Sequence, residues 1–230
     1  MSEEKSAYTP IPSVQRLPVY LHFLKDLRRG GQRSISCTQI AKQFNQLSVQ
    51  VRKDLAITGI SGRPRVGYKV DELIDAIESF IGWDKETTAF LVGAGSLGSA
   101  ILGYQGINEH GLRILMAFDS DPKKIGTTVH GYPVFSPEAM GTQARRYRVD
   151  IGILTVPADK AQESANRLVE IGVRGIWNYT PRSLVLPEHV VCVDVKLSAS
   201  FAVLSKRMAD RRQLDVTGKK PRDKSPKKSY

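Results

Sequence analysis

Cysteine is nearly absent from this chain: Cys37 and Cys192 are the only two in 230 residues, far apart and without metal-ligand spacing. That excludes a disulfide framework and a thiolate metal site, and it points to a reducing compartment, the cytoplasm. Cys37 falls in the first turn of a predicted helix, where a thiolate is stabilised, but it reads first as a buried structural residue. The histidines, His22, His110, His130 and His189, show no ligand spacing, so no metal is expected. No run approaches the ~18 apolar residues that argue for a membrane helix. Met1-Ser-Glu-Glu-Lys5 has no hydrophobic signal core, and no internal repeat is present.

Positive charge is in excess, at a net +11, and its location matters. Residues 1–82 hold 12 Lys/Arg against 8 Asp/Glu, residues 83–210 hold 14 against 13, and residues 211–230 hold 8 against 2. The middle is nearly neutral and the ends are basic. Such a distribution suits a polyanion partner, because Lys and Arg clusters gain affinity by releasing condensed counterions; plain solubility is the blander explanation.

The most informative segment is Phe90-Leu-Val-Gly93-Ala94-Gly95-Ser96-Leu97-Gly98, followed after one helix length by Met116-Ala-Phe-Asp119. It reads as strand, glycine turn, helix and second strand ending in a carboxylate. Gly93 allows the turn, Gly95 lets backbone approach a pyrophosphate, and Gly98 lets helix pack on strand. The helix N-terminus offers free N–H groups and partial positive charge to phosphate. Asp119, 21 residues past Gly98, stands where a carboxylate accepts hydrogen bonds from an adenosine ribose. An acid there repels a 2′-phosphate, so NAD(H) is expected over NADP(H), with Lys123 and Lys124 pulling the other way.

Further strands are expected at 151–156, 175–178 and 190–195, with helices at 96–104, 159–171 and 197–208. The alternation predicts a doubly wound parallel α/β sheet, a Rossmann body, over 84–210. The last helix carries an apolar stripe of Leu197, Phe201, Leu204 and Met208. Beyond Ala209 the chain is basic and poor in large apolar residues, so disorder is expected over the tail 211–230.

Residues 1–83 read as a mainly α-helical winged-helix head behind a flexible arm, 1–12. Apolar residues from Val14 to Leu27 predict a helix over 13–29, with Pro18 kinking its first turns or delaying its start. Ser36 and Gln39 form a capping box for a second helix. Ser48 is expected to cap a third helix bearing Gln50, Arg52 and Lys53 on one side, and Asp54 is expected at the core edge or beside an arginine. The segment 59–68, with Gly59, Gly62, Arg63, Pro64, Arg65, Gly67 and Tyr68, predicts a basic hairpin. Asp71 is expected to cap a fourth helix. In a helix-turn-helix the third helix enters the major groove, where Arg reads guanine and Gln reads adenine. A protein-binding module with a charged face is the alternative for the head.

Taken together, Arg16-Leu-Pro-Val-Tyr20, Val51-Arg-Lys-Asp-Leu55, Val66-Gly-Tyr68, Leu91 to Gly98, Ala117 to Pro122, Thr155-Val-Pro-Ala158 and Asn178-Tyr-Thr-Pro181 resemble the Rex family of redox-sensing transcriptional repressors, from about Ile11 to Met208. The resemblance implies a homodimer that binds double-stranded operator DNA when free or NAD⁺-bound and lets go when NADH binds. It implies contacts of Gly93, Ala94, Gly95, Ser96, Leu97 and Gly98 with the pyrophosphate, of Asp119 with the ribose, and Ser120 and Lys124 beside it. Thr155, Pro157, Asn178 and Tyr104 fall on the nicotinamide side. Arg16, Ser48, Gln50, Arg52, Lys53, Arg63, Arg65 and Tyr68 fall on the DNA side, and the last helix is exchanged between subunits. Three departures stand out. Lys196 occupies the place of an aspartate that family members carry before the last helix, with Asp194 the nearest substitute. Ile57-Thr58 replaces an aromatic pair, and Arg65 replaces a wing glycine beside an inserted Pro64.

The rival from another class is a small NAD-dependent oxidoreductase. Such an enzyme needs an acid or base beside the nicotinamide. The body is almost used up by its nucleotide fold, and no Tyr and Lys stand four residues apart as a catalytic pair. No enzymatic activity is therefore expected.

Overall fold

Ser13, Leu17, Tyr20, Leu21 and Leu24 repeat at helical spacing and are buried along one face of helix α1 (Ile11–Arg29). The computed structural model describes residues 10–104, 106 and 110–217, apart from the side chains of Leu197 and 213–217. The chain divides into two units: one runs to Thr87 and includes the excursion Gly106–Arg113, and the other holds the remainder. Helix α1 starts at Ile11 behind Pro10 and runs on through Pro18, so Pro18 neither delays nor ends it. The lost hydrogen bond and ring clash cost about 3 kcal/mol. Burying four large side chains on one face, at about 1.5–3 kcal/mol each, outweighs that.

The first unit continues with β1 (Ser34–Ile35), α2 (Cys37–Gln43), α3 (Ser48–Ala56), β2 (Tyr68–Lys69) and α4 (Val70–Ile81). The capping box is present: the Ser36 hydroxyl accepts from Gln39 N–H, and the Gln39 side chain accepts from Ser36 N–H at 2.9 Å. Two expected caps are corrected. Ser48 is the first helical residue of α3, behind Leu47, and Asp71 lies inside the first turn of α4, behind Lys69. Asp71 and Glu72 there complement the partial positive charge of the helix end.

The expected hairpin is also revised. Its own pairing shrinks to a bridge between Arg63 and Gly67, and β2 instead pairs antiparallel with β1 from ahead of α2. Arg65 sits at φ 64°, in the left-handed region. That region favours glycine. Around these elements, Leu17, Leu21, Ile40, Val51, Leu55, Leu73, Ile74 and Ile77 close one core.

The second unit is a seven-stranded sheet in the order β5-β6-β4-β3-β7-β8-β9. Its strands are β3 (Thr87–Val92), β4 (Leu112–Phe118), β5 (Thr128–Val129), β6 (Tyr132–Phe135), β7 (Ile151–Leu154), β8 (Gly175–Asn178) and β9 (Val191–Asp194). The pairs β3–β7, β4–β6, β7–β8 and β8–β9 are parallel, and β5–β6 forms an antiparallel hairpin at one edge. Among the described residues four α-helices accompany it: α5 (Ser96–Gly103), α6 (Met140–Arg146), α7 (Ala161–Glu170) and α8 (Leu197–Thr217). Phe90, Phe118, Leu154, Ala165, Leu168 and Ile176 fill its core.

Helix α8 overturns part of the expected disorder: it runs nine residues past Met208, to Thr217. Ala209-Asp-Arg-Arg-Gln are tolerable to strong helix formers, and Lys206 pairs with Asp210 one turn on. Of the expected arm, 1–12, residues up to 9 lie outside the described residues, as does the tail from residue 218, while Ile11 and Pro12 correct the arm's end by belonging to α1. No helix among the described residues is long and apolar enough to cross a membrane, and no group of His, Cys, Asp or Glu among them could hold a metal ion.

Candidate functional site

After β3 the chain goes to β4 on one side, while β7 lies on the other side of β3. The connections therefore part above the carboxyl ends of β3 and β7. In an open α/β sheet that gap is where ligands bind. The register lines up the groups at its rim: Val92 is opposite Leu154, Leu154 opposite Asn178, and Asn178 opposite Asp194.

Gly93 and Gly98 sit in the tight turn and the close helix packing that their spacing predicts. Gly93 takes φ 101°, and a Cβ there would meet the Thr155 backbone at 2.8 Å. A Cβ on Gly98 would lie 1.9 Å from the Gly93 carbonyl oxygen, so α5 rests on the turn only because that hydrogen is there. A Cβ on Gly95 would meet nothing within 4 Å. This open position faces no protein neighbour and caps α5, whose first N–H groups have no partner within the helix. Ala94 is buried, and Leu97 is 38 % exposed. The Thr155 hydroxyl locks the turn from the neighbouring strand by donating to the Gly93 carbonyl at 2.6 Å. A pyrophosphate fits this cradle: it needs an uncrowded backbone, aligned N–H donors and no competing side chain.

Asp119 stands at the end of β4, its Oδ1 accepting from Asp121 N–H at 2.9 Å and its Oδ2 3.0 Å from Lys124 Nζ. Lys124 thus serves the acid directly. A carboxylate has about four acceptor sites, so capacity remains for ribose hydroxyls. Ser120 and Pro157 are exposed at the same edge.

Asn178 is fully buried, with both its N–H groups and its oxygen engaged. Nδ2 donates to the Arg182 carbonyl and to Asp194 Oδ1, both at 2.8 Å, while Oδ1 accepts from Thr180 N–H at 3.0 Å and Thr180 Oγ1 at 2.7 Å. Asn178 thus ties the loop after β8 to the end of β9 at the rim. Asp194 is set by it and by Lys196, 3.4 Å away. The Asn178 bond, then Lys196, hold the Asp194 carboxyl below the ordinary aspartate range, while partial burial opposes them. Burial and this carboxylate push the Cys192 thiol up. Tyr104 follows the last residue of α5 and is 63 % exposed. Eight residues at 1.5 Å rise put it about 12 Å from the phosphate end of that helix.

In the first unit the exposed residues of α3 are Val49, Arg52, Lys53 and Ala56, a single stripe at i, i+3, i+4 and i+7. Arg63 and Arg65 are exposed in the following loop, and Ser48 is half-buried at the start of the helix. Two other residues expected on the DNA side point to a different partner. Asp54 is wholly buried, and the Arg16 guanidinium grips it with two bonds of 2.6 Å. Gln50 donates to it at 2.8 Å and the Tyr20 hydroxyl at 2.9 Å. A carboxylate removed from water needs such partners. Burial alone would raise the Asp54 pKa, but Arg16, Ser13, Gln50 and Tyr20 together hold it below the ordinary aspartate value. Arg16 and Gln50 therefore spend donors inside the head, off the exposed stripe. Tyr68 is buried, with its hydroxyl 4.0 Å from Cys37 Sγ.

The Asn178–Asp194 tie and the Asp121 N–H behind Asp119 were not foreseen from the sequence. The signal for the first was only two polar residues ending adjacent strands. For the second it was the Asp-Ser-Asp spacing, in which a side chain commonly accepts from the backbone two residues on.

The chain matches two family models: "CoA binding domain" over residues 84–182 and "Putative DNA-binding protein N-terminus" over residues 9–56. It is 49% identical over 197 residues to the redox-sensing transcriptional repressor Rex of Treponema denticola, covering 86% of this chain and 94% of that one. It is 41% identical over 208 residues to the repressor of the same name from Bacteroides fragilis, covering 90% and 94%. Among solved structures, the Rex-family repressor RSP superposes with a TM-score of 0.82 at 30% identity, covering 93% of this chain and all of that one. RSP in complex with β-NAD⁺ and operator DNA gives a TM-score of 0.83 at 30% identity, over 94% of this chain and all of that one. RSP has also been solved with β-NADH. The chain belongs to the Rex family of redox-sensing transcriptional repressors.

Proposed function

We propose that this chain is a repressor that binds double-stranded operator DNA as a homodimer and releases it when NADH enters the crevice above β3 and β7. One observation carries the reading: a single chain holds an open glycine turn at a helix N-terminus with an acid at the next strand end, and a helical head with an exposed basic stripe. The names and bound partners of its relatives point the same way. No catalytic activity is proposed.

Within this reading Gly93, Ala94, Gly95, Ser96, Leu97 and Gly98 hold the pyrophosphate. Asp119 holds the ribose, with Lys124 and Ser120 beside it. Thr155, Pro157 and Asn178 form the nicotinamide end, Asn178 by positioning the rim, and Tyr104 senses the ring. Bound NAD(H) supplies the signal, because its oxidised and reduced rings differ in charge. On the head, Ser48, Arg52, Lys53, Arg63 and Arg65 meet the duplex. Arg16 contributes the donors that Asp54 leaves over, and Tyr68 supports the loop from inside.

Dimerisation is supported by what the second unit leaves uncovered. On β9, Val191 and Val193 are 67 % and 56 % exposed, and on α8, Phe201 is 70 % exposed, followed by Val203, Leu204 and Met208. Large apolar patches of this kind mark interaction sites. A helix-turn-helix dimer binds half-sites at a set separation, so a ligand that favours another subunit arrangement releases DNA. It does so only through its differential affinity for the two arrangements.

Fluorescence anisotropy with labelled duplexes from the chain's own upstream region tests this. Tight binding of one duplex, reversed by NADH and retained with NAD⁺, is the expected result. Absence of sequence-selective binding to any duplex would overturn it.

A further inference from the structure

The third helix presents an unusual composition to solvent. Of its exposed stripe, Arg52 and Lys53 are cationic, but Val49 and Ala56 are apolar, and Val49 is 58 % exposed. Leu47, just ahead of the helix, is 60 % exposed as well. The polar residue best suited to reading bases from this helix, Gln50, is tied back to Asp54 at 2.8 Å. Asp54 is itself fully buried and clamped by Arg16. The helix face available to a duplex is therefore apolar at its leading end and basic one turn later.

Major-groove chemistry offers one complement to an apolar side chain: the C5-methyl of thymine. Val49 lies at i−3 and i−4 from Arg52 and Lys53, so all three share one face. Arg52 and Lys53 can hold phosphate or guanine while Val49 reaches the groove ahead of them, since the N-terminal residues of a recognition helix contact base edges. We propose that Val49 is a specificity-determining residue that reads a thymine methyl in each operator half-site. The inference rests on the DNA-binding reading above and deepens it. It assigns the discrimination to hydrophobic contact, with Gln50 held as a support of the helix.

The test starts from duplexes selected out of a random-sequence pool by the full chain. Thymines of the winning half-site are replaced by deoxyuridine one position at a time, symmetrically in both halves, and affinities are measured by anisotropy. Uracil preserves every hydrogen bond and removes only the methyl. One position is expected to lose about fourfold in affinity per half-site, the worth of one buried methyl group. Val49→Ser, with helix propensity close to that of valine, is expected to bind the thymine and uracil duplexes equally. Gln50→Ala is expected to leave the uracil penalty intact. A flat uracil scan with the unaltered chain, or an equal penalty in Val49→Ser, overturns the assignment while leaving operator binding in place. Failure of the pool to yield any preferred sequence overturns the DNA-binding reading and this inference with it.

Discussion

Two carboxylates show how the same residue type takes opposite work. Asp54 is walled in and paired by Arg16, Tyr20 and Gln50, whereas Asp119 is pinned by Lys124 and one N–H with acceptor capacity to spare. Removing Asp54 leaves the Arg16 charge half-buried without its partner, and breaking such a pair costs about 3 kcal/mol. Asp54→Ala is therefore expected to lower the stability of the first unit by about that amount in urea unfolding followed by circular dichroism. Asp54 also sets a pH dependence. Its folded pKa is depressed below the unfolded value, so its contribution is complete above the unfolded pKa, about 4. That contribution is lost as pH falls through the lower folded value. Acid unfolding of the head is expected to begin below about pH 4, and Asp54→Asn to flatten it. A variant with an unchanged acid limb contradicts the pairing. Asp119→Ala is expected to weaken NADH by about tenfold, the worth of a charge-assisted hydrogen bond, and to narrow the gap to NADPH by freeing Lys124. Unchanged NADH affinity in calorimetry shows that the ribose lies elsewhere.

At the scale of elements, the turn between β3 and α5 separates folding from binding. Gly98→Ala places a methyl 1.9 Å from the Gly93 carbonyl and forces α5 off the sheet. Gly95→Ala meets no protein atom within 4 Å. Gly95→Ala is expected to keep the melting temperature and lose NADH binding, while Gly98→Ala loses both. The reverse order in thermal melts and NADH titrations contradicts the assigned roles. This turn was legible in the sequence because its glycines answer local needs at set spacing. The same holds for the Ser36–Gln39 box and for the apolar stripe of α1, whose burial overrides Pro18. Features that depend on distant partners were not legible. The strand β1 exists only because β2 returns to it. The edge hairpin β5–β6 and helix α6 leave no clear periodic signal across 128–146. Gln50 reads as a base contact until Asp54 is seen beneath it.

For the whole molecule, the sequence joins a basic head to a nearly neutral Rossmann body, and the two must serve one purpose. Charge asymmetry and the glycine turn were legible from composition and spacing. The expected tail was only partly so, since α8 continues to Thr217. The exposed apolar residues of α8 and β9 bear on the coupling. Phe201→Glu with Leu204→Glu is expected to convert a dimer to a monomer by light scattering and to weaken operator binding at least a hundredfold, while leaving NADH binding per chain intact. A double variant that stays dimeric removes α8 as the interface. Moving a two-state population from 1:99 to 99:1 takes about 5.5 kcal/mol of differential ligand affinity. Only contacts that distinguish the two nicotinamide rings can supply it. The most direct measurement is operator affinity at constant total nicotinamide nucleotide while the NADH/NAD⁺ ratio is raised. The duplex is expected to dissociate steeply as the reduced form accumulates; equal retention, or equal release, at every ratio contradicts redox sensing by this protein.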